Sequence, residues 1–401
     1  MTMTEVPDIV GTENFFDGLS VQPADPLLSI IAAFQADPRP TKIDLGVGVY
    51  RDEQGKTPIL GAVKAAEARL VEAQSTKAYI GVEGNGAYLA SLKSLLFQRG
   101  GGDDLVAMQT PGGTGAIRLA AELINASSPH ARIWIGEPSW PVHVPLSQAA
   151  GLQTLSYRHF DPVSQQLLLD DLLEKLETAL PGDIVLLHGC CHNPSGADPS
   201  AEQWQKLAEV IIRRGLIPFI DLAYHGLGDG LDADLEVLRA LASVPQLLLA
   251  YSCSKNFGLY RERVGALFVR TGSPAKNQAV ASTMFLLGRM IWSMPPDHGA
   301  AVVHEILGNE DLIDQWHVEL ATMRNRLSAV RSAIAREPAL VKLGEQKGMF
   351  SQLSLTPAQI EALRRDHAIF MAGSGRVNLA GLSLRDVPRF VEALKTVSTI
   401  G

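Results

Sequence analysis

Five short runs of uninterrupted β-branched and aliphatic residues constrain this chain more than any other feature. They are Ile133-Trp134-Ile135, Ile184 to Leu187, Ile217 to Ile220, Leu247 to Tyr251 and Ala266 to Val269, and longer segments of helical periodicity separate them. A strand covered by helices on both faces has no reason to alternate polar with apolar residues. Continuous apolar runs of this length therefore predict a mostly parallel α/β sheet buried between two helix layers. The 401 residues are enough to bury a large core without disulfides or a structural metal. Only 19% of them are charged, against about 25% in an average globular chain, which excludes a disordered protein.

Toward the C-terminus, Trp316, Leu320, Met323, Leu327, Val330 and Ile334 form the apolar stripe of one long amphipathic helix, which Pro338 is expected to stop. Beyond it, Met349 to Leu355, a helical stretch to His367, a short run Ala368 to Met371 and a terminal helix predict a smaller α+β domain. Residues 1–26 are polar, hold Pro23 and Pro26 and show no period, and read as an N-terminal arm. The net charge of −8, with no basic block, argues against nucleic acid as a partner. No apolar stretch approaches the length of a membrane span, and Met1 to Asp8 lack the regions of a secretory signal, so the expectation is a soluble, cytoplasmic protein without membrane contact. Three cysteines, Cys190, Cys191 and Cys253, cannot pair completely, which suits a reducing compartment.

Chemistry concentrates where the apolar runs end. Ser252-Cys253-Ser254-Lys255 follows one of them directly, with Arg263 eight residues further on. A lone lysine is by default a solvated loop residue. This one has neighbours that change the reading: the amine can form an imine with a carbonyl, while the hydroxyls and Arg263 suit a dianion. Asp221 ends another run, with Tyr224 three residues later. Its carboxylate could cap the next helix, or face a pyridine nitrogen and keep it protonated. His188-Gly189-Cys190-Cys191-His192-Asn193-Pro194-Ser195-Gly196 follows a third run, and its Asn-Pro-x-Gly turn can point the Asn193 amide into a cleft. A zinc site is not expected there, because consecutive Cys-Cys-His side chains diverge and no second ligand pair appears. Thr110 to Ala116 opens a helix whose Gly113 and Thr114 amides suit an anion, although the glycine spacing is neither a P-loop nor a dinucleotide fingerprint.

With these segments in this order, the chain resembles the class I aspartate and aromatic-amino-acid aminotransferases, homodimeric pyridoxal-phosphate enzymes. The resemblance runs from about Pro26 to the C-terminus. It rests on Asp44 to Tyr50, Thr110 to Gly115, Pro138 to Pro141, Cys190 to Gly196, Asp221 to Tyr224, Ser252 to Arg263 and Ser374 to Asn378. It implies that pyridoxal 5′-phosphate is the cofactor, that Lys255 binds its aldehyde and then shuttles a proton, and that Asp221 pairs with the ring nitrogen. Tyr224 and Asn193 would hold the phenolic oxygen, Trp140 would stack on the ring, and His143 would support Asp221. The phosphate cup would comprise Gly113, Thr114, Ser252, Ser254 and Arg263, with Tyr79 reaching over from the other subunit. Gly48 and Arg376 would meet the substrate, Arg376 gripping its α-carboxylate in a bidentate fork. Arg289 matches the partner-subunit arginine that reads a distal carboxylate. The implied fold has a large domain over residues 58–318 and a small domain made of 27–57 and 319–401.

Three positions depart from the aspartate-specific pattern, each apolar where that pattern has asparagine: Val142, Ala78 and Met294. These changes would loosen a water-bridged network around Arg289 and admit an uncharged side chain. The implied reaction moves an amino group from an aromatic amino acid or aspartate to 2-oxoglutarate by a ping-pong route, with a strict aspartate aminotransferase as the alternative. Two other classes fit less well. Ser252-x-x-Lys255 also matches serine acylases, whose companion S-D-N and K-T-G elements are absent, and a ligand-sensing regulator would need a DNA-binding domain for which the arm is too short.

Overall fold

The main sheet has seven strands in the computed structural model, which describes residues 14–21, 26–97 and 104–397. They are β1 (Leu105–Pro111), β2 (Arg132–Glu137), β3 (Gln153–Arg158), β4 (Ile184–His188), β5 (Ile217–Leu222), β6 (Leu247–Ser252) and β7 (Val264–Arg270). Their spatial order is β1-β7-β6-β5-β4-β2-β3. Only β7 runs antiparallel to its neighbours, β1 and β6. All five apolar runs are interior strands, and β5, β6 and β7 are buried almost throughout. The two edge strands, β1 and β3, are absent from the sequence reading. β3 is largely exposed and mixes polar with apolar residues, so it lacks the continuous apolar signature.

Two apolar clusters cover the sheet. One gathers Trp204, Leu207, Phe257, Trp316 and Leu320; the other is built around helix α1 (Gly112–Ser127) with Ala116, Leu119 and Leu123. A third cluster joins Ile43 and Leu45 to side chains between Val330 and Leu394. Strand pair Phe350–Gln352 with Arg376–Asn378, helix Pro357–His367 and terminal helix Val387–Val397 lie in this last region, close to the expected boundaries. Among the described residues no helix is long and apolar enough to cross a membrane. The expected arm falls mostly outside the described residues; of it, Phe15, Phe16, Leu19 and Val21 are exposed.

Long helix α2 (Glu310–Ile334) begins at Asn309, whose side chain accepts the Leu312 N–H at 3.2 Å. All six residues of the apolar stripe are buried. The helix ends at Ile334, ahead of Pro338, which instead opens a 3₁₀ turn. Its central contact is Trp316, stacked on Phe257 at 4.5 Å with nearly parallel planes, its indole N–H donating to the Asn256 carbonyl at 2.8 Å. That ties the helix to the loop carrying Lys255. Trp316→Ala is expected to destabilise the fold by about 3–5 kcal/mol in urea unfolding. Trp316→Phe, which keeps the stack and orphans the carbonyl, should cost roughly 1–3 kcal/mol.

Candidate active site

Parallel strands deliver their C-terminal ends to one rim, and the candidate residues converge there because several of them terminate or follow those strands. Asp221 on β5 lies in register with His188 at the end of β4. Ser252 closes β6. Trp140 and His143 follow β2, and α1 starts directly after β1. The resulting cavity is lined by Lys255, Asp221, Tyr224, Asn193, Trp140 and Gly48. Gly113, Thr114, Ser252, Ser254 and Arg263 line its other end. Arg376 lines an adjoining groove that shares Trp140 with the cavity.

The cavity has two electrostatic halves. At one end, the Asp221 carboxylate is buried and accepts a hydrogen bond at 3.0 Å from His143 Nε2, whose Nδ1 lies 2.8 Å from Ser139 Oγ. Burial pushes the Asp221 carboxyl up, but the hydrogen bond from His143 and the electrostatic pull of His143 and Lys255 outweigh it, so it remains below the ordinary carboxylate range. At the other end, Arg263 has a left-handed backbone, with φ of 54°, and its guanidinium lies where a side chain on Gly112 would be. Arg263 Nη1 donates to Ser254 Oγ and to the Tyr260 carbonyl, both at 3.2 Å. A Cβ on Gly113 would meet Ser252 Cβ at 3.0 Å. Cation, hydroxyls and the N-terminus of α1 thus form an anion cup kept open by two glycines.

Lys255 is half-buried, with Nζ 4.9 Å from the centre of the Tyr224 ring. Burial, together with Arg263 and Arg376, lowers its ammonium to about 8 against the opposing pull of Asp221. Burial raises the Tyr224 phenol, which accepts from Asn193 Nδ2 at 3.4 Å.

A family model described as aminotransferase class I and II matches residues 40–394. The chain belongs to that family. It is 50% identical over 378 residues to a tyrosine aminotransferase of Rhizobium meliloti (strain 1021), covering 92% of this chain and 96% of the relative. It is 41% identical over 396 residues to an aspartate aminotransferase of Escherichia coli (strain K12), covering 95% and 100%. An aromatic-amino-acid aminotransferase from Burkholderia pseudomallei, solved covalently bound to pyridoxal phosphate, superposes with a TM-score of 0.93 at 37% identity, covering 96% of this chain and all of that one.

This aminotransferase works with pyridoxal 5′-phosphate, and its cavity fits the group chemically. The cup pairs Arg263 with no carboxylate among the described residues, leaving its charge for a phosphate. Among the described residues the carbonyl oxygen of the buried Asn193 amide has no hydrogen-bond partner either. Two of the sequence candidates do not reach the cavity within this chain: Tyr79 is 91% exposed, and Arg289 is exposed on helix α3 (Pro274–Ile291), donating to Ser293 Oγ at 3.3 Å.

Sequence reasoning missed His188, Tyr260 and Phe350. His188 lines the cavity beside His143, and burial with the nearby His143 lowers it to about 3, so it is a neutral ring against the Asp221 charge. The Tyr260 hydroxyl accepts the Tyr50 N–H at 2.9 Å, tying the Lys255 loop to the Gly48 segment. Of the consecutive Cys190, Cys191 and His192 side chains expected to diverge, the two cysteines do not. Their sulfurs and an Asp234 carboxylate oxygen lie within 4.8 Å of one another, because Cys191 adopts a left-handed φ of 53°. Asp234 is already occupied, accepting the N–H groups of Gly226, Gly228 and Asp229 at 2.8–3.0 Å.

An amine lowered to about 8 is protonated below that pH and free above it. In cofactor-free protein, labelling of Lys255 by trinitrobenzenesulfonate is therefore expected to rise with pH and reach half its maximum near 8, whereas a midpoint above 10 would mean a solvated amine. Arg263→Ala is expected to weaken pyridoxal-phosphate binding by about 10–100-fold in equilibrium dialysis, as for loss of one or two charge-assisted hydrogen bonds.

Proposed function

We propose that this aminotransferase moves the amino group of an aromatic amino acid or of aspartate to 2-oxoglutarate by a ping-pong mechanism, in a homodimer with shared active sites. The observation that carries the reading is the half-buried Lys255 amine, lining one cavity with the Asp221 carboxylate and the Arg263 cup, with a second cation, Arg376, at the groove beside it. Bound in this cavity, pyridoxal phosphate supplies an aldehyde carbon that carries the amino group and a ring that accepts electron density from the substrate.

Asp221, kept anionic by His143, holds the positive charge on the ring nitrogen. Gly113, Thr114, Ser252, Ser254 and Arg263 hold the phosphate, and the partner subunit's Tyr79 adds a hydroxyl. Asn193 and Tyr224 would hold the ring oxygen, and Trp140 would supply an aromatic surface for the ring. Lys255 takes the proton from the substrate α-carbon as a general base. An amine lowered to about 8 suits that task near neutral pH, because enough of it is unprotonated while it keeps basicity. Arg376 grips the α-carboxylate, next to the Gly48 backbone. It has no carboxylate partner among the described residues; its Nη2 donates only to the Gly46 carbonyl at 3.0 Å, and its guanidinium lies 4.8 Å over the Phe350 ring.

The donor range rests on the mouth of the site. The groove beside Trp140 includes Pro141, Val142 and Ala372, an apolar surface suited to an aromatic side chain. The partner's Arg289 would read the distal carboxylate of aspartate. Residues 27–57 and 319–401 are read as a small domain, a division supported by the separate apolar cluster of Ile43, Leu45 and the C-terminal region. Its movement over the large domain would clamp the substrate and exclude water.

Borohydride reduction of the purified enzyme is expected to fix a pyridoxyl group on Lys255, and no such label in a peptide map would overturn the reading. Arg376→Leu removes two charge-assisted hydrogen bonds of roughly 1.5–3 kcal/mol each, so kcat/KM should fall by about 10²–10⁴-fold for both donor classes. In a donor panel, tyrosine or phenylalanine should be used with kcat/KM comparable to that for aspartate. Values about a thousandfold lower would leave a strict aspartate aminotransferase.

A further inference from the structure

Gln352 and Arg376 stand directly opposite one another in the antiparallel pair Phe350–Gln352 and Arg376–Asn378. Directly opposed residues share one face of a ribbon, with Cβ atoms roughly 4.5–5.5 Å apart. Both side chains line the groove beside Trp140. Each carries one buried polar atom with no hydrogen-bond partner among the described residues. On Arg376 it is Nε, a donor, and on Gln352 it is Oε1, an acceptor.

The remainder of Gln352 is fixed. It is 8% exposed, its Nε2 donates to the Ser374 carbonyl, and its own carbonyl accepts from Gln165 Nε2 at 2.7 Å. Gln165 Oε1 accepts from Gln346 Nε2 at 2.8 Å, Gln346 Oε1 accepts from Ser351 Oγ at 2.6 Å, and Ser351 Oγ accepts from the buried Arg331 at 3.0 Å. A side chain at the end of so complete a polar chain, with one acceptor left over, is built to receive a donor.

A guanidinium offers a carboxylate two edges, Nη1 with Nη2, or Nε with one Nη. We propose that Gln352 is a substrate-positioning residue: when an α-carboxylate binds, Gln352 Oε1 accepts the Nε–H of Arg376, which closes the side-on edge and leaves the Nη1–Nη2 edge for the substrate. The inference rests on Arg376 as the α-carboxylate grip. An uncharged amide is the side chain this task requires. A carboxylate at position 352 would pair with the cation itself and compete with the substrate, and an apolar group would leave the buried Nε–H without an acceptor.

The test compares two ligands of the holoenzyme by calorimetry, the unreactive acid 3-phenylpropionate and its neutral amide 3-phenylpropanamide, with the cofactor absorbance reporting a folded, loaded site. Gln352→Met is expected to weaken 3-phenylpropionate about tenfold and Gln352→Glu about tenfold further, both leaving the amide within about twofold of wild type. In steady state, Gln352→Met should raise KM for the amino acid while kcat changes little. Unchanged 3-phenylpropionate binding in Gln352→Met, or equal weakening of acid and amide, overturns the proposal, the latter marking a packing role. Arg376→Leu separates the two levels. If it weakens the acid while Gln352→Met does not, only the role of Gln352 fails; if it leaves the acid untouched, the reading of Arg376 fails as well.

Discussion

One charge arrangement governs this structure: a buried carboxylate, Asp221, and a half-buried amine, Lys255, line the same cavity, with Arg263 at its far end and Arg376 in the adjoining groove. Each ion alone would be costly to hold out of water. Asp221 is kept charged by the His143 hydrogen bond and the cations around it, against its own burial. Lys255 is driven the other way, since burial and the two arginines outweigh the carboxylate. The outcome is one fixed negative charge and one amine that gives up its proton near neutral pH. The same pocket thus holds an anion firmly and a base loosely, which acid–base chemistry at a carbon requires.

The surroundings of Asp221 are arranged to add no competing charge. His188 packs against His143, and His192 lies next to His188 and stacks on His159 at 3.8 Å. Burial lowers all three of the outer rings, His188 to about 3 and His159 to about 4, so the column stays neutral through the physiological range. A neutral imidazole column supports His143 without introducing a cation that would neutralise the carboxylate. Its cost appears at the far end, where His159 Nε2 is buried with no hydrogen-bond partner among the described residues.

Much of this was legible in the residues because the fold turns local order into spatial order. An interior parallel strand announces itself as a continuous apolar run, and the residue after it stands at the sheet's C-terminal rim, so Asp221, Ser252 and Asn193 could be placed before their neighbours were known. What stayed hidden depends on pairing between distant segments. His188 faces Asp221 only because β4 lies beside β5. Gln352 opposes Arg376 through a register that no spacing between them encodes. Edge strand β3 lacked the apolar signature because a strand with one neighbour has less surface to bury, whereas β1 opens on a short apolar run, Leu105 to Met108, that gives way to Gln109 and Thr110. The Cys190–Cys191 contact required a left-handed backbone at a residue other than glycine, which composition gives no hint of.

The exposed pair Tyr79 and Arg289 follows a different logic. Ile80 N–H donates to Met294 Sδ at 3.2 Å, and Arg289 donates to Ser293, the residue before Met294. The segment bearing the phenol and the end of α3 bearing the guanidinium are therefore fastened to each other on one surface of the chain. In the proposed homodimer, that surface would present a phosphate donor and a reader of the distal carboxylate to the other site as a single unit. Any change at Met294 would then act on both at once. In that reading, the apolar Met294 at this joint would leave Arg289, which makes one side-chain hydrogen bond at 3.3 Å among the described residues, weakly held and cheap to displace by an uncharged ring at the mouth.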